Sequence, residues 1–397
     1  MNSGSRPSRG VSFWALAVLL TFFLYAATAP SPLYGIYQAR FGFSSITLTA
    51  IYAVYAFGAM GALLFAGRLP DYVGRRRIVV IALAMQIASM ALFITANGVG
   101  FLYAARVLQG AATGMATGAI SAWLLDLQPP ENPRFGSLVA STALVIGLGA
   151  GALGTAFLVQ YAPAPERLVY WLLAGVYSVG LAVVFVVPEV VRGKPGAVRS
   201  MRPQLGVPRE VRATFFALIP SFVAVWALNG FFASLGPSLA ASLLQTKNRL
   251  PGGFVIAALL WAGALASVLT RDAEPRALVT RGSLVLIAGV ALTLFGVAAE
   301  SPVALYAGTV LAGIGFGPAF SGVFRTIAPL APPERRAALL AALYIVLYLS
   351  FSVPAIAAGI AVTRFPLPDT TYVYGFAVIV LAAITAVAVS RRTVASS

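Results

Sequence analysis

The chain has 397 residues, of which 60% are hydrophobic and only 10% charged, with 27 Lys and Arg against 11 Asp and Glu and a mean hydropathy of +0.90. A water-soluble domain carries roughly 25% charged residues, so this composition excludes one and points to a polytopic membrane protein. The net charge of +16 does not mark a nucleic-acid surface, because the basic residues sit in short loops between apolar runs. Cys and His are both absent, which removes disulfides, thiolate metal sites and the commonest general base and proton relay.

Apolar runs of about 20 residues, the length that crosses a bilayer, recur along the whole chain. They predict twelve spans over 12–38, 45–66, 78–96, 99–125, 135–160, 168–187, 213–244, 251–270, 282–299, 302–324, 337–363 and 370–390. Several are longer than a crossing needs and are expected to tilt or to continue past the bilayer. Arg6 and Arg9 precede a first run too long for a cleaved signal peptide, so that run is expected to stay as an anchor. The longest polar interval, Val191 to Arg212, holds Arg192, Lys194, Arg199, Arg202, Arg209 and Arg212 and divides the chain near its midpoint. This predicts a six-helix bundle over 1–190, a cytoplasmic linker over 191–212 and a second six-helix bundle over 213–397.

Charge sets the orientation. With the N-terminus in the cytoplasm, the outer loops hold Arg40, Arg167, Lys247, Arg249 and Arg364, and Arg106 lies within a span, which leaves 21 of the 27 basic residues inside. That bias puts both termini in the cytoplasm. A repeat runs through the chain: Gly110, Gly114 and Pro129-Pro130-Glu131 return as Gly313, Gly317 and Pro332-Pro333-Glu334, each 203 residues on. The copies run in the same direction, as in a parallel duplication about an axis along the membrane normal.

Between the second and third runs lies the most charged hairpin, Gly67-Arg-Leu-Pro-Asp-Tyr-Val-Gly-Arg-Arg-Arg77. Gly67 and Gly74 allow close approach and a left-handed turn. Asp71 is placed to accept from the amides at a helix N-terminus, and the arginines hold the loop in an anionic headgroup layer. Arg77 also reads simply as an anchor. The hairpin resembles the signature loop of the major facilitator superfamily through Gly67, Leu69, Asp71, Gly74, Arg75 and Arg76, and departs from it at Tyr72, where a basic residue is usual. Its counterpart in the second half, around Arg271, Asp272, Glu274 and Arg276, is degraded. With the repeat, the resemblance extends over nearly the whole chain. It implies an all-α fold of twelve helices in two bundles, with a central cavity lined mainly by spans one, four, seven and ten.

Arg106 is the one ionisable side chain well inside a span, where insertion costs roughly 2.5 to 3.5 kcal/mol. Arg106, Gln109, Gly110 and Gly114 resemble the family's fourth-span motif, which implies proton coupling or substrate binding; pairing of the arginine with backbone carbonyls is the plainer alternative. Gln109, Gly110, Thr113, Gly114, Thr117 and Ser121 fall on one helix face. Asp126, at the cytoplasmic end of the same span, is too far from Arg106 to pair with it. It is placed instead to join Asp71 and the arginines in a charge relay, or simply to cap a loop. Gly147, Gly149, Gly151 and Gly154 resemble a degraded antiporter motif, with close helix packing as the plainer reading.

The expected cavity walls are aromatic: Tyr25 in span one, Trp226, Asn229 and Phe232 in span seven, and Phe320 and Phe324 in span ten. Tyr34 and Tyr37, after Pro30 and Pro32, are expected in the interfacial belt. Arg325, Arg335 and Arg336 read as gate or anchor residues, and Pro318 and Pro354 as kinks in spans ten and eleven. Such a cavity suits an amphipathic or aromatic molecule. No nucleotide-binding loop occurs, and no nucleophile-base pair lies in the membrane. The expectation is therefore a monomeric secondary transporter in a bacterial inner membrane, without cofactor or nucleic-acid partner. It would export a small molecule against protons, or alternatively take up a small organic anion with them. A sensor without transport is the competing class outside transport.

Overall fold

The computed structural model describes residues 8–132, 135–191, 193–202, 206–330 and 333–394. Arg6, Arg192 and Pro332 lie outside them, as do the side chains of Glu334 and Arg336. Among the described residues the structure is helical. Twelve long helices follow in order: α1 (Arg9–Thr28), α2 (Ser45–Ala66), α3 (Arg75–Ile94), α4 (Val99–Leu127), α5 (Phe135–Tyr161), α6 (Pro165–Val186), α7 (Arg209–Ser234), α8 (Leu250–Leu269), α9 (Pro275–Ala298), α10 (Pro302–Ile327), α11 (Pro333–Ala361) and α12 (Leu367–Val394). Eleven of them are apolar enough to cross a membrane by composition. The exception is α4, whose 29 residues suffice in length but include Arg106, Gln109, Thr113 and several glycines.

Two expected spans are broken. The run 12–38 is α1, a short turn of 3-10 helix and a second helix at Tyr34–Phe41 that Gly42 ends with φ 67°. The run 213–244 likewise divides into α7 and a short helix at Gly236–Leu243. Proline explains both breaks: Pro30 and Pro32 follow α1, and Pro237 sits at the start of the second short helix. The break also corrects the expectation for Tyr34 and Tyr37, which are each only 2% exposed and so lie inside the protein instead of in an interfacial belt. Tyr34 packs edge-on against Tyr52 at 5.8 Å between ring centres.

The chain divides into two compact units, Met1–Pro30 with Val54–Pro203, and Ser31–Ala53 with Gln204–Ser397. In the first, α1 packs on α4 and α5, and α3 on α4 and α6; in the second, α7 packs on α10 and α11, and α9 on α10 and α12. The partners correspond one to one in chain order, the order of a parallel repeat. Glycine makes the closest approaches. A methyl on Gly110 or Gly114 would overlap backbone of α2 at Tyr55 and Ala59, and a methyl on Gly313 or Gly317 would overlap α8 at Leu259 and Gly263. Polar side chains tie the first, third and sixth helices of each set. Gln86 Nε2 donates to Tyr177 Oη (3.3 Å), which donates to Phe22 O (2.8 Å). In the other set Ser221 Oγ meets Ser283 Oγ (2.9 Å), and Ser221 N donates to Thr385 Oγ1 (2.7 Å) beside Pro220.

Candidate functional site

The α2–α3 hairpin is built as a charge clamp. Pro70 starts a single helical turn, Pro70–Val73, and Gly74 then reverses the chain with φ 100°, a conformation that strains any residue with a Cβ. Beyond it α3 begins with two free amides, and both point at one carboxylate: Glu189 accepts from Arg75 N (3.3 Å) and Arg76 N (2.8 Å). Glu189 also accepts from Val190 N and Val191 N, each at 3.1 Å, which fixes its own stretch of chain. This corrects the role expected of Asp71. Its Oδ1 takes Arg75 Nη1 at 2.5 Å, while Arg75 Nε reaches Asp126 Oδ2 at 3.4 Å. Arg75 is only 12% exposed between an Asp71 that is 50% exposed and an Asp126 that is 29% exposed. Arg75 thus pairs with both Asp71 and Asp126, two acids that the sequence placed near these arginines.

The rest of the loop is braced by the chain that follows α6. Arg76 Nη2 donates to Val187 O (2.5 Å), Trp123 Nε1 donates to Pro188 O (3.0 Å), and Lys194 N donates to Tyr72 O (2.8 Å). Lys194 Nζ also lies 4.8 Å from the centre of the Tyr72 ring. Tyr72, the departure from the family pattern, thus serves as a platform for the chain beyond α6. Arg77 is exposed and makes no ion pair among the described residues, as suits an anchor. Glu189 and Lys194 are the partners of this hairpin that sequence reasoning missed. The one available signal was their position at the same membrane face as the hairpin.

Arg106 is fully buried. Its Nη1 donates to Ala27 O (2.8 Å) and Gln109 Oε1 (2.5 Å), and its guanidinium carbon lies 4.3 Å from the centre of the Tyr55 ring. Gln109 Nε2 donates to Ala26 O (3.0 Å). Ala26 and Ala27 belong to the last turn of α1, whose carbonyls have no partner within the helix. Arg106 and Gln109 supply that partner and place positive charge at the negative end of the helix dipole, worth roughly 0.3 to 2 kcal/mol. Thr113 and Thr117 bond back to the carbonyls four residues earlier, at 2.8 and 2.7 Å. The glycines of α5 meet α1: a methyl on Gly147 or Gly151 would overlap Thr21 or Tyr25 backbone, and Thr28 Oγ1 donates to Leu148 O (2.6 Å). Close helix packing is what these glycines do.

Of the expected aromatic residues, Trp226, Phe320 and Phe324 come together. Trp226 is 5.4 Å from Phe320, and Phe320 is 5.1 Å from Phe324, ring centre to ring centre. Phe222, Phe316 and Tyr344 complete the group, at 5.7 Å from Phe320, 5.9 Å from Trp226 and 6.0 Å from Phe324 respectively. Trp226 Nε1 is buried and has no hydrogen-bond partner among the described residues. Phe232 and Asn229 are buried further along α7, with Phe232 against Phe231 and Gly236. Tyr25 belongs to the first unit, beside Phe22 at 6.0 Å and with its hydroxyl against Gly154.

Comparison with known proteins agrees with this architecture. The chain is 26% identical over 178 residues to Multidrug resistance protein MdtL of Klebsiella pneumoniae (strain 342), a match that covers 44% of each protein. The sequence matches the Major Facilitator Superfamily over residues 14–354. With long helices in two like-ordered sets and the signature hairpin between α2 and α3, the chain is a multi-pass membrane protein that belongs to the major facilitator superfamily.

Proposed function

We propose that this protein is a secondary active transporter that exports small amphipathic or aromatic molecules across a bacterial inner membrane in exchange for protons. Two six-helix bundles, 1–190 and 213–397, joined by the cytoplasmic linker 191–212, would move the substrate by alternating access, with both termini in the cytoplasm. The observation that carries the reading is Arg75 held between Asp71 and Asp126. One cation shared by two carboxylates ties the turn before α3, the start of α3 and the end of α4 together, and protonation of either acid weakens the clamp. That gives a proton something to release. The aromatic group on α7, α10 and α11, with the unpartnered Trp226 indole N–H, supports a planar apolar substrate that carries a hydrogen-bond acceptor. The partial likeness to a multidrug resistance protein supports drug-like compounds as the substrate class.

Uptake of a small organic anion anchored on Arg106 is the second reading; the anion would share that guanidinium with Ala27 O and Gln109 Oε1, both held by Nη1. Proteoliposomes decide between the readings. With an imposed pH gradient, a fluorescent aromatic amphiphile is expected to move uphill against proton flow, and Trp226→Ala is expected to raise the half-saturating concentration several-fold. Flux indifferent to the gradient would remove proton coupling, and gradient-driven uptake of an aromatic carboxylate would favour the symport reading.

A further inference from the structure

A second site lies in the second unit, away from the aromatic group. Between α11 and α12, with α7 as its floor, there is a groove of about 430 Å³. That volume is within the range that holds a drug-sized molecule, roughly 300 to 1,000 Å³. The groove exists because the α11 wall is made of small residues, Ala357, Ala358 and Ala361, where larger side chains would have closed the gap to α12. On the α12 side Val373, 74% exposed, lies along its open edge. Both helices are apolar enough to cross a membrane, and α12 leaves Val373, Phe376 and Val380 exposed along its length.

Two polar groups interrupt this apolar wall. Thr370 lines the groove and is 4% exposed, yet its Oγ1 has no hydrogen-bond partner among the described residues. A buried hydroxyl left without a partner carries a desolvation cost that a bound ligand would relieve. Asp369, one residue earlier in the first turn of α12, also lines the groove and is in no ion pair among the described residues. A carboxylate beside an apolar slot selects a cation with an apolar body. It opposes an anionic phospholipid, whose net negative charge would meet the carboxylate.

We propose that this groove is a lateral binding site for lipophilic cations drawn from the bilayer, with the positive centre at Asp369 and the apolar body along the alanines of α11. The proposal concerns binding and stands apart from the direction or coupling of transport. Its test uses the full chain in phosphatidylcholine nanodiscs with a diazirine-bearing triphenylphosphonium as the photoprobe. Labelling is expected on the α12 peptide that holds Val373 and Ala377, with competition by tetraphenylphosphonium but not by tetraphenylborate, which has the same shape and the opposite charge. Asp369→Asn is expected to cut labelling there by about threefold or more, and Ala357→Trp, at an exposed position that tolerates bulk, to block it. Arg271→Ala, at an exposed ion pair between α8 and α9, is expected to leave it unchanged. Labelling confined to other helices, equal competition by the borate, no response to Asp369→Asn, or labelling lost when phosphatidylglycerol replaces part of the phosphatidylcholine would each overturn the proposal; the last would assign the groove to an anionic lipid.

Discussion

The hairpin between α2 and α3 and its counterpart between α8 and α9 occupy the same place in the repeat, but they are held by opposite means. In the first, the acid that caps the following helix is Glu189, far away in sequence, and the basic residue is Arg75, largely buried between two carboxylates. In the second, α9 is capped locally: Glu274 accepts from Arg276 N (3.1 Å) and Ala277 N (2.8 Å). Its charge pair, Arg271 with Asp272 at 3.4 Å, is exposed on both sides. Where α4 offers Asp126 to the first hairpin, α10 offers Arg325, whose Nη2 donates to Ala273 O (2.9 Å). A duplicated fold thus keeps one hairpin as a long-range clamp and lets the other become a self-sufficient turn.

Four substitutions and one control test that contrast. Arg75→Ala leaves Asp71 and Asp126 facing each other without a shared cation, and transport in proteoliposomes is expected to fall by roughly tenfold or more; activity near that of the wild type would show the clamp to be dispensable. Gly74→Ala forces a Cβ into a left-handed conformation and against Glu189 Oε2, 2.9 Å away, for an expected loss of about 1 to 3 kcal/mol in thermal unfolding. Among the described residues none with positive φ occurs between α8 and α9, so an alanine there carries no such penalty. Glu189→Ala is expected to cost about 1 to 2 kcal/mol and to reduce transport, while the control, Glu274→Ala, costs about 1 kcal/mol through its local cap alone. Equal transport losses in the two would erase the distinction. The smallest effect is expected from Arg271→Ala, under about 0.5 kcal/mol, because exposed ion pairs contribute little; a larger shift in the unfolding temperature would mean that this hairpin also holds the fold.

Much of the candidate site was legible in the sequence. The glycines at 110, 114, 313 and 317 were readable as a repeat because only glycine permits backbone contact between helices at those points. The meeting of Asp71, Arg75 and Asp126 followed from their shared membrane face. For Glu189 the sequence offered only a shared face with the hairpin, since nothing else in its surroundings announces that it will cap a helix more than a hundred residues earlier. Tyr34 and Tyr37 misled because tyrosine near the end of a span suits a lipid interface equally well, and only the break after α1 carries them inside. Phe222, Phe316 and Tyr344 join the aromatic residues named from sequence, but periodicity does not say which of two adjacent faces meets a neighbour.

Composition and period alone determined that this chain lives in a bilayer, crosses it many times and repeats itself in one direction, because burying backbone in hydrocarbon leaves few alternatives to long apolar helices. Tertiary structure decided how each polar group inside was satisfied. Arg106 and Gln109 met the last carbonyls of α1, Glu189 met the first amides of α3, and the indole of Trp226 was left without a partner among the described residues. The cause is physical: hydrophobicity is a property of each residue, whereas a hydrogen bond belongs to two groups whose separation in space is fixed only when the helices pack.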